Sequence, residues 1–336
     1  MVMQKLFNYR IQTDILLRAV AITLVVFHHM YSGRGRDDEY FLIGGTTVLM
    51  LLSGYNFSRF MLASRDPKKI VSSMWRFMWQ IFWPAMALIL LLFALKREFV
   101  WTEFLFISHW FTADSFFSPF MPYWYIQVML QIFLGLVVLC SLPVLRDIIV
   151  RHLYRSSLVI LLVSIVIGAV CPYIWDTGDL YNWLPHLQLW NFVIGWFIHA
   201  CLERAQGPKG WIYRLLASFM LLISIYSVLW GYWGQSSLLT IGGLLMCWVP
   251  SVSIPKMLAR PVMLCSQAIF PIYLLHTLML PLSERTLKKI GIDQPLLDGV
   301  LAMAGCIGLW AVCTAAQRAF RALVSRREEA LVVEGS

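Results

Sequence analysis

Arg18 and His29 lie eleven positions apart in one apolar run. At about 100° per residue they fall on nearly the same helix face, three turns apart. A run of this length can cross a bilayer, where ionisable groups are expensive and mark function. An imidazole titrating near neutral pH suits general acid–base work or proton relay. A fixed cation suits a phosphate, a polarised carbonyl or a developing oxyanion. Thr13 or Asp14 caps the helix start, and Asp14 sits one turn before Arg18 as its natural partner. His28 is turned about 80° from Arg18's face, so His29 is the better match. The plainer alternative is a snorkelling arginine with two interfacial histidines.

Other polar groups interrupt apolar stretches further on. Ser53-Gly54 allows close helix contact or a local break, and Tyr55, Asn56, Ser58 and Arg59 follow it. Arg65, Lys68, Lys69 and Arg76 extend a basic stretch that suits a phosphate-bearing molecule or an ordinary cytoplasmic boundary. Gln127 and Gln131, after Trp124, share one face of an apolar helix. They either line a polar channel or lock helices together. His276, in Tyr273-Leu274-Leu275-His276, is a second proton-handling group or a satisfied core histidine. The other histidines show no ligand spacing, and no metal site is expected. The seven cysteines form no CxxC pair and read as small buried hydrophobes.

These groups must be positioned by membrane helices. The 336 residues are 60% hydrophobic and only 13% charged, about half the charged share of a soluble domain. The predicted fold is an all-α integral membrane bundle of about ten transmembrane helices, with a retained first helix. The spans fall near 15–33, 41–62, 77–95, 122–140, 156–174, 185–202, 212–230, 235–250, 264–282 and 297–316. Residues 99–118, broken by Glu103, His109 and Asp114, suggest an interfacial or re-entrant piece. With the N-terminus inside, 19 basic residues fall on inner segments and 7 on outer loops, which predicts N-in and C-in. One polytopic domain over 1–320 and a short cytoplasmic tail over 321–336 are expected.

Taken together these marks resemble the integral-membrane acyltransferase-3 family of bacteria. Its first-helix signature, an arginine, ten residues and a histidine, is matched by Arg18 and His29. Its serine-glycine-aromatic segment resembles Ser53-Gly54-Tyr55, and its basic entry to the third helix resembles Arg76 through Pro84. Trp124-Tyr125-Ile126 and Tyr273-Leu274-Leu275-His276 are similar to two later motifs. The chain departs from the pattern at Ala19 (usually glycine), Gln80 (usually arginine), Met129 (usually glutamate) and in the spacing of Asp14.

The resemblance implies a multi-pass enzyme of the bacterial cytoplasmic membrane. It would move an acyl group, most often acetyl, from a cytoplasmic acyl-CoA-type thioester to a hydroxyl of an envelope carbohydrate. No tightly bound cofactor is implied, and the partners are the donor, a carbohydrate or glycolipid acceptor and membrane lipid, not nucleic acid. His29, Arg18 and His276 are then the catalytic candidates, and Tyr55, Arg59 and Arg76 the donor-binding ones. His28, Trp124, Gln127, Gln131 and Tyr273 are candidates to contact the acceptor. The rival readings are a transporter of a small solute or lipid-linked sugar, and a non-catalytic partner in an envelope-polymer complex.

Overall fold

The computed structural model describes residues 9–32, 44–64, 66–110, 123–174, 184–228 and 233–334. Arg34, Arg36, Arg65 and Asp114 lie outside them. Helix α1 spans Thr13–Ser32 and α2 Gly45–Asn56, which passes into a π-helical turn at Phe57–Met61. Helix α3 covers Pro67–Lys96, and α4 is a single turn at Trp101–Phe104, followed by a 3-10 turn at Ser108–Trp110. Next come α5 (Trp124–Ser141), α6 (Pro143–Arg151), α7 (Leu153–Ile174), α8 (Pro185–Arg204), α9 (Gly210–Val228) and α10 (Trp233–Trp248). Helices α11 (Lys256–Gln267), α12 (Ile269–Lys289) and α13 (Pro295–Glu334) complete the chain. The expected tail boundary at 320 falls inside α13.

The expectation of about ten transmembrane helices is not met. Among the described residues five helices are long and apolar enough to cross a membrane, or six if the α11–α12 pair counts as one broken span. The reasons are local. Helix α2 has only 12 residues, about 18 Å of rise. Helix α8 is long enough, but it carries His186, Gln188, Asn191 and His199 and is buried at every residue from 190 to 201, so it is a core helix. The apolar parts of α9 and α10, Gly210–Tyr226 and Ser237–Trp248, are too short. The expected span over 264–282 is broken at Ala268, where α11 and α12 meet at 85°. Hydropathy reads a helix buried in protein and a helix buried in lipid alike, which is why the sequence overcounts. Without ten crossings, the predicted N-in and C-in arrangement loses its support. What stands is a multi-pass membrane protein.

The structure also holds a small sheet that the all-α expectation lacks. Strand β1 (Tyr9–Gln12) pairs antiparallel with β2 (Ser251–Ile254), in the register Tyr9↔Ile254. Ile11 and Ile254 are buried with Ala259 in a satellite core. Thr13 continues the join: its N–H donates to the Pro250 carbonyl at 3.1 Å and its hydroxyl to that of Val249. The start of α1 is thereby tied to the α10–α11 connection.

Helices α2 and α8 form the most intimate seam. A Cβ on Gly54 would lie 1.7 Å from the Phe192 carbonyl oxygen, and one on Gly195 would lie 1.8 Å from that of Leu51. Both glycines are needed for backbones to meet. The cysteines are all free. Cys140, Cys201, Cys247 and Cys306 are buried, Cys171 and Cys265 are partly covered and Cys313 is exposed.

Gly54→Ala must push the two backbones apart, and a loss of about 3 kcal/mol is expected. Gly135→Ala, where a Cβ meets nothing within 4 Å, is expected to be neutral or stabilising by up to about 1 kcal/mol. Thermal unfolding of both variants in one detergent checks this. Equal melting temperatures would contradict the seam.

Candidate functional site

Two polar clusters lie along α1. The first is built at its start. Asp14 is buried, and Arg18 Nη2 donates to its Oδ2 at 2.9 Å. The same guanidinium nitrogen donates to Asn56 Oδ1 at 2.8 Å, at the end of α2. Arg59 Nη1 reaches the same Asp14 oxygen at 3.6 Å. The π turn makes this possible, because a wider turn re-aims the side chains that follow Asn56. It turns Ser58 inward, where its hydroxyl lies 2.8 Å from His199 Nδ1 on α8, and directs Arg59 toward Asp14. Tyr55 meets the His199 ring edge-on at 5.1 Å between centroids.

Two cavities adjoin this cluster. One, of about 410 Å³, is lined by Asp14, Tyr55, Arg59, His199 and Arg214 among others. The other, of about 470 Å³, is lined by Arg18, Asn56, Ser53, Tyr125 and Tyr273, with an otherwise mainly apolar wall that includes Met129 and Phe133. Asp14 borders the first and Arg18 the second, so their ion pair stands between them. Arg59 and Arg214 on its wall, beside the carboxylates of Asp14 and Glu203, suit an anionic group in the first cavity. The second suits a slender, mostly apolar group.

The second cluster sits three turns further along α1. His276, fully buried on α12, places Nε2 3.3 Å from His29 Nδ1, with ring centroids 4.9 Å apart. His29 Nδ1 also lies 2.9 Å from the Val25 carbonyl, and His276 Nδ1 lies 2.7 Å from that of Tyr273. Carbonyls only accept, so in the neutral rings both Nδ1 atoms carry the proton. His276 Nε2 then accepts from His29 Nδ1–H, and His29 Nε2 is left as the base. The His28 ring stands 5.4 Å from that of His29. Tyr273 packs at 5.1 Å on Tyr125, whose hydroxyl is 3.2 Å from Ser53 Oγ. Tyr123 and Thr277 share a hydrogen bond of 2.6 Å one residue beyond His276.

The sequence-predicted residues thus divide. Arg18, Tyr55 and Arg59 gather at the first cluster, and His28, His29, Tyr273 and His276 at the second. Eleven residues of helix separate Arg18 from His29 by about 16 Å, so the two address different parts of an extended molecule. Trp124 opens α5, half-buried beside Tyr125. Arg76 is exposed on α3 and borders neither cavity. Gln127 and Gln131 hold a different site together. Gln127 accepts from Ser108 at 3.0 Å and from His109 at 2.7 Å, and donates to Glu103 at 2.7 Å. Gln131 accepts from Trp110 at 2.9 Å and donates to the Phe106 carbonyl at 2.7 Å. These bonds fasten residues 101–110 onto α5. No group of three or more metal-ligating side chains occurs among the described residues.

Sequence reasoning passed over Asn56, Ser58, His199 and Tyr125 as site residues. Their one signal is a polar group inside an apolar run. It also passed over the roles of Glu103 and His109, whose partners lie on another element.

The Acyl_transf_3 family, described as an acyltransferase domain, matches residues 15–315. That covers most of the chain, including Arg18, Arg59, His29 and His276 though not Asp14, and the chain belongs to this family. It is therefore a membrane enzyme of the acyltransferase-3 type. No curated protein and no solved structure matches it.

Glu103 lies outside the candidate spans and is 1% exposed. Burial pushes its carboxyl up to about 7, against hydrogen bonds from Ser108 and Gln127 that pull it down. Its Oε1 has no hydrogen-bond partner among the described residues. The unfolded carboxyl ionises near 4.5, so stability is lost as pH rises from there to about 7 and then levels off. Glu103→Gln keeps an acceptor for Gln127 and removes this titration. The melting temperature of wild type relative to Glu103→Gln should fall between pH 5 and 7 and stay flat above. A difference that does not change with pH would contradict it.

Proposed function

We propose that this acyltransferase moves an acyl group, acetyl being the first candidate, from a cytoplasmic acyl-CoA-type thioester to a hydroxyl of a cell-envelope carbohydrate or related acceptor, in the bacterial inner membrane. The observation that carries the reading is the His29–His276 pair, whose His29 shares helix α1 with Arg18, an arginine that borders a cavity. Arg59, with Tyr55 and Arg214 in the same cavity wall, receives the donor's phosphates, and Arg76 is left as a peripheral donor contact on α3. Arg18 holds the donor's thioester arm where it passes from one cavity into the other.

His29 Nε2 removes the proton from the acceptor hydroxyl as its oxygen attacks the thioester carbonyl. The C–S bond breaks, and the departing thiolate takes that proton back from His29. While His29 is charged, its Nδ1–H donates to His276 Nε2 and to the Val25 carbonyl. His276 is thus a positioning residue that fixes the tautomer. His28, Trp124 and Tyr273 border the space from which the acceptor hydroxyl approaches, and Gln127 and Gln131 act by holding residues 101–110 against α5.

The test is thioester consumption by the purified protein in lipid, with acetyl-CoA and longer acyl-CoAs and a membrane extract as acceptor source. His29→Ala should lower turnover by about 100-fold or more with the protein still folded. Arg59→Ala should raise KM for the donor by about tenfold with kcat little changed. A wild type that consumes no donor, or a fully active His29→Ala variant, would sink the proposal.

A further inference from the structure

Helix α6 has nine residues and joins two span-length helices, α5 and α7. A short amphipathic segment in that position lies at the membrane interface. Where it folds back on its neighbours there is a cleft of about 450 Å³. Its floor is apolar, with Leu139 from α5, Ile148 and Ile149 from α6, and Val159 from α7, while His152 and Arg155 form a polar rim.

The other arginines of this elbow are engaged. Arg146 and Arg151 both lie against Asp147, at 3.3 Å and 3.8 Å. Arg155 is exposed and forms no ion pair with a carboxylate among the described residues. Ser156 spends its hydroxyl on the Ile148 carbonyl. The rim therefore offers a guanidinium and an imidazole N–H. Beyond Val159 the apolar floor continues along α7 as Val163 and Val166, 52% and 59% exposed. A cation above an apolar trough that runs down a membrane helix matches a molecule with an anionic head and a hydrocarbon tail.

We propose that this cleft binds an anionic glycerophospholipid. Its phosphate rests on Arg155 and His152, and one acyl chain lies in the trough along Val159, Val163 and Val166. A choline headgroup would set its own cation near Arg155, so charge selects the anionic lipid while the trough accepts any tail. The inference does not depend on the acyl-transfer reading.

The experiment is a thermal-unfolding titration of the full chain in neutral detergent. The additives are phosphatidylglycerol, phosphatidylcholine with the same chains, and glycerol phosphate. Half-saturation should come at about fivefold lower phosphatidylglycerol than phosphatidylcholine, the gain expected of one arginine near an anionic lipid. The His152→Gln, Arg155→Gln double variant should lose the preference and Arg155→Lys should keep it. Ile148→Trp, which fills the trough, should weaken both lipids. Equal affinity for the two lipids, a preference surviving in the double variant, or glycerol phosphate matching the whole lipid would each overturn the proposal.

Discussion

One buried carboxylate organises the inner architecture. Asp14 is shared by Arg18 and Arg59, and a charge taken out of water must be paired or it is not tolerated. Each member of that trio arrives from a different local device. The β1–β2 pair fixes the start of α1, and with it the position of Asp14. The helical repeat places Arg18 one turn later. The π turn after Asn56 re-aims Arg59, and the α2–α8 seam sets the depth at which that turn sits. Loosening any of these would leave a charge without its partner.

The remaining chemistry is arranged by distance from that point. The arginines gather at that point, and the histidine pair stands about three helical turns away along α1. The cavity that Arg18 borders is largely apolar, and neither His29 nor His276 lines it. Met129 contributes to that apolarity as part of the lining it shares with Arg18. The family match over residues 15–315 takes in the arginines and the histidines and begins one residue after Asp14.

Much of the site was legible in the sequence because it depends on one helix. Arg18, Asp14 and His29 are related by periodicity alone, and Gln127 and Gln131 were readable as sharing a face. Partners from other elements were not. Nothing local says that His276 meets His29, that Asn56 accepts from Arg18, or that Gln127 is saturated by residues 103–109. The largely helical, membrane character of the fold was legible, and the number of spans and the small sheet were not. Helix α8 is as apolar as it must be to sit inside protein, and the elbow at Ala268 interrupts a run that hydropathy reads as continuous. The π turn leaves no signature in composition, because Phe57–Met61 would serve equally well as ordinary helix.

The glycine seam has a mechanical consequence. Where side chains interdigitate, rotamer changes let helices slide, but Gly54 and Gly195 bring main-chain atoms directly against one another. That contact has no slack. Helices α2 and α8 must therefore travel as a single strut, carrying Asn56 and His199 with them. Any breathing that lets a bulky molecule past Arg18 has to come from the other wall of the cavity. There the bent α11–α12 pair, with Ser266 and Phe270, offers a joint in place of a weld.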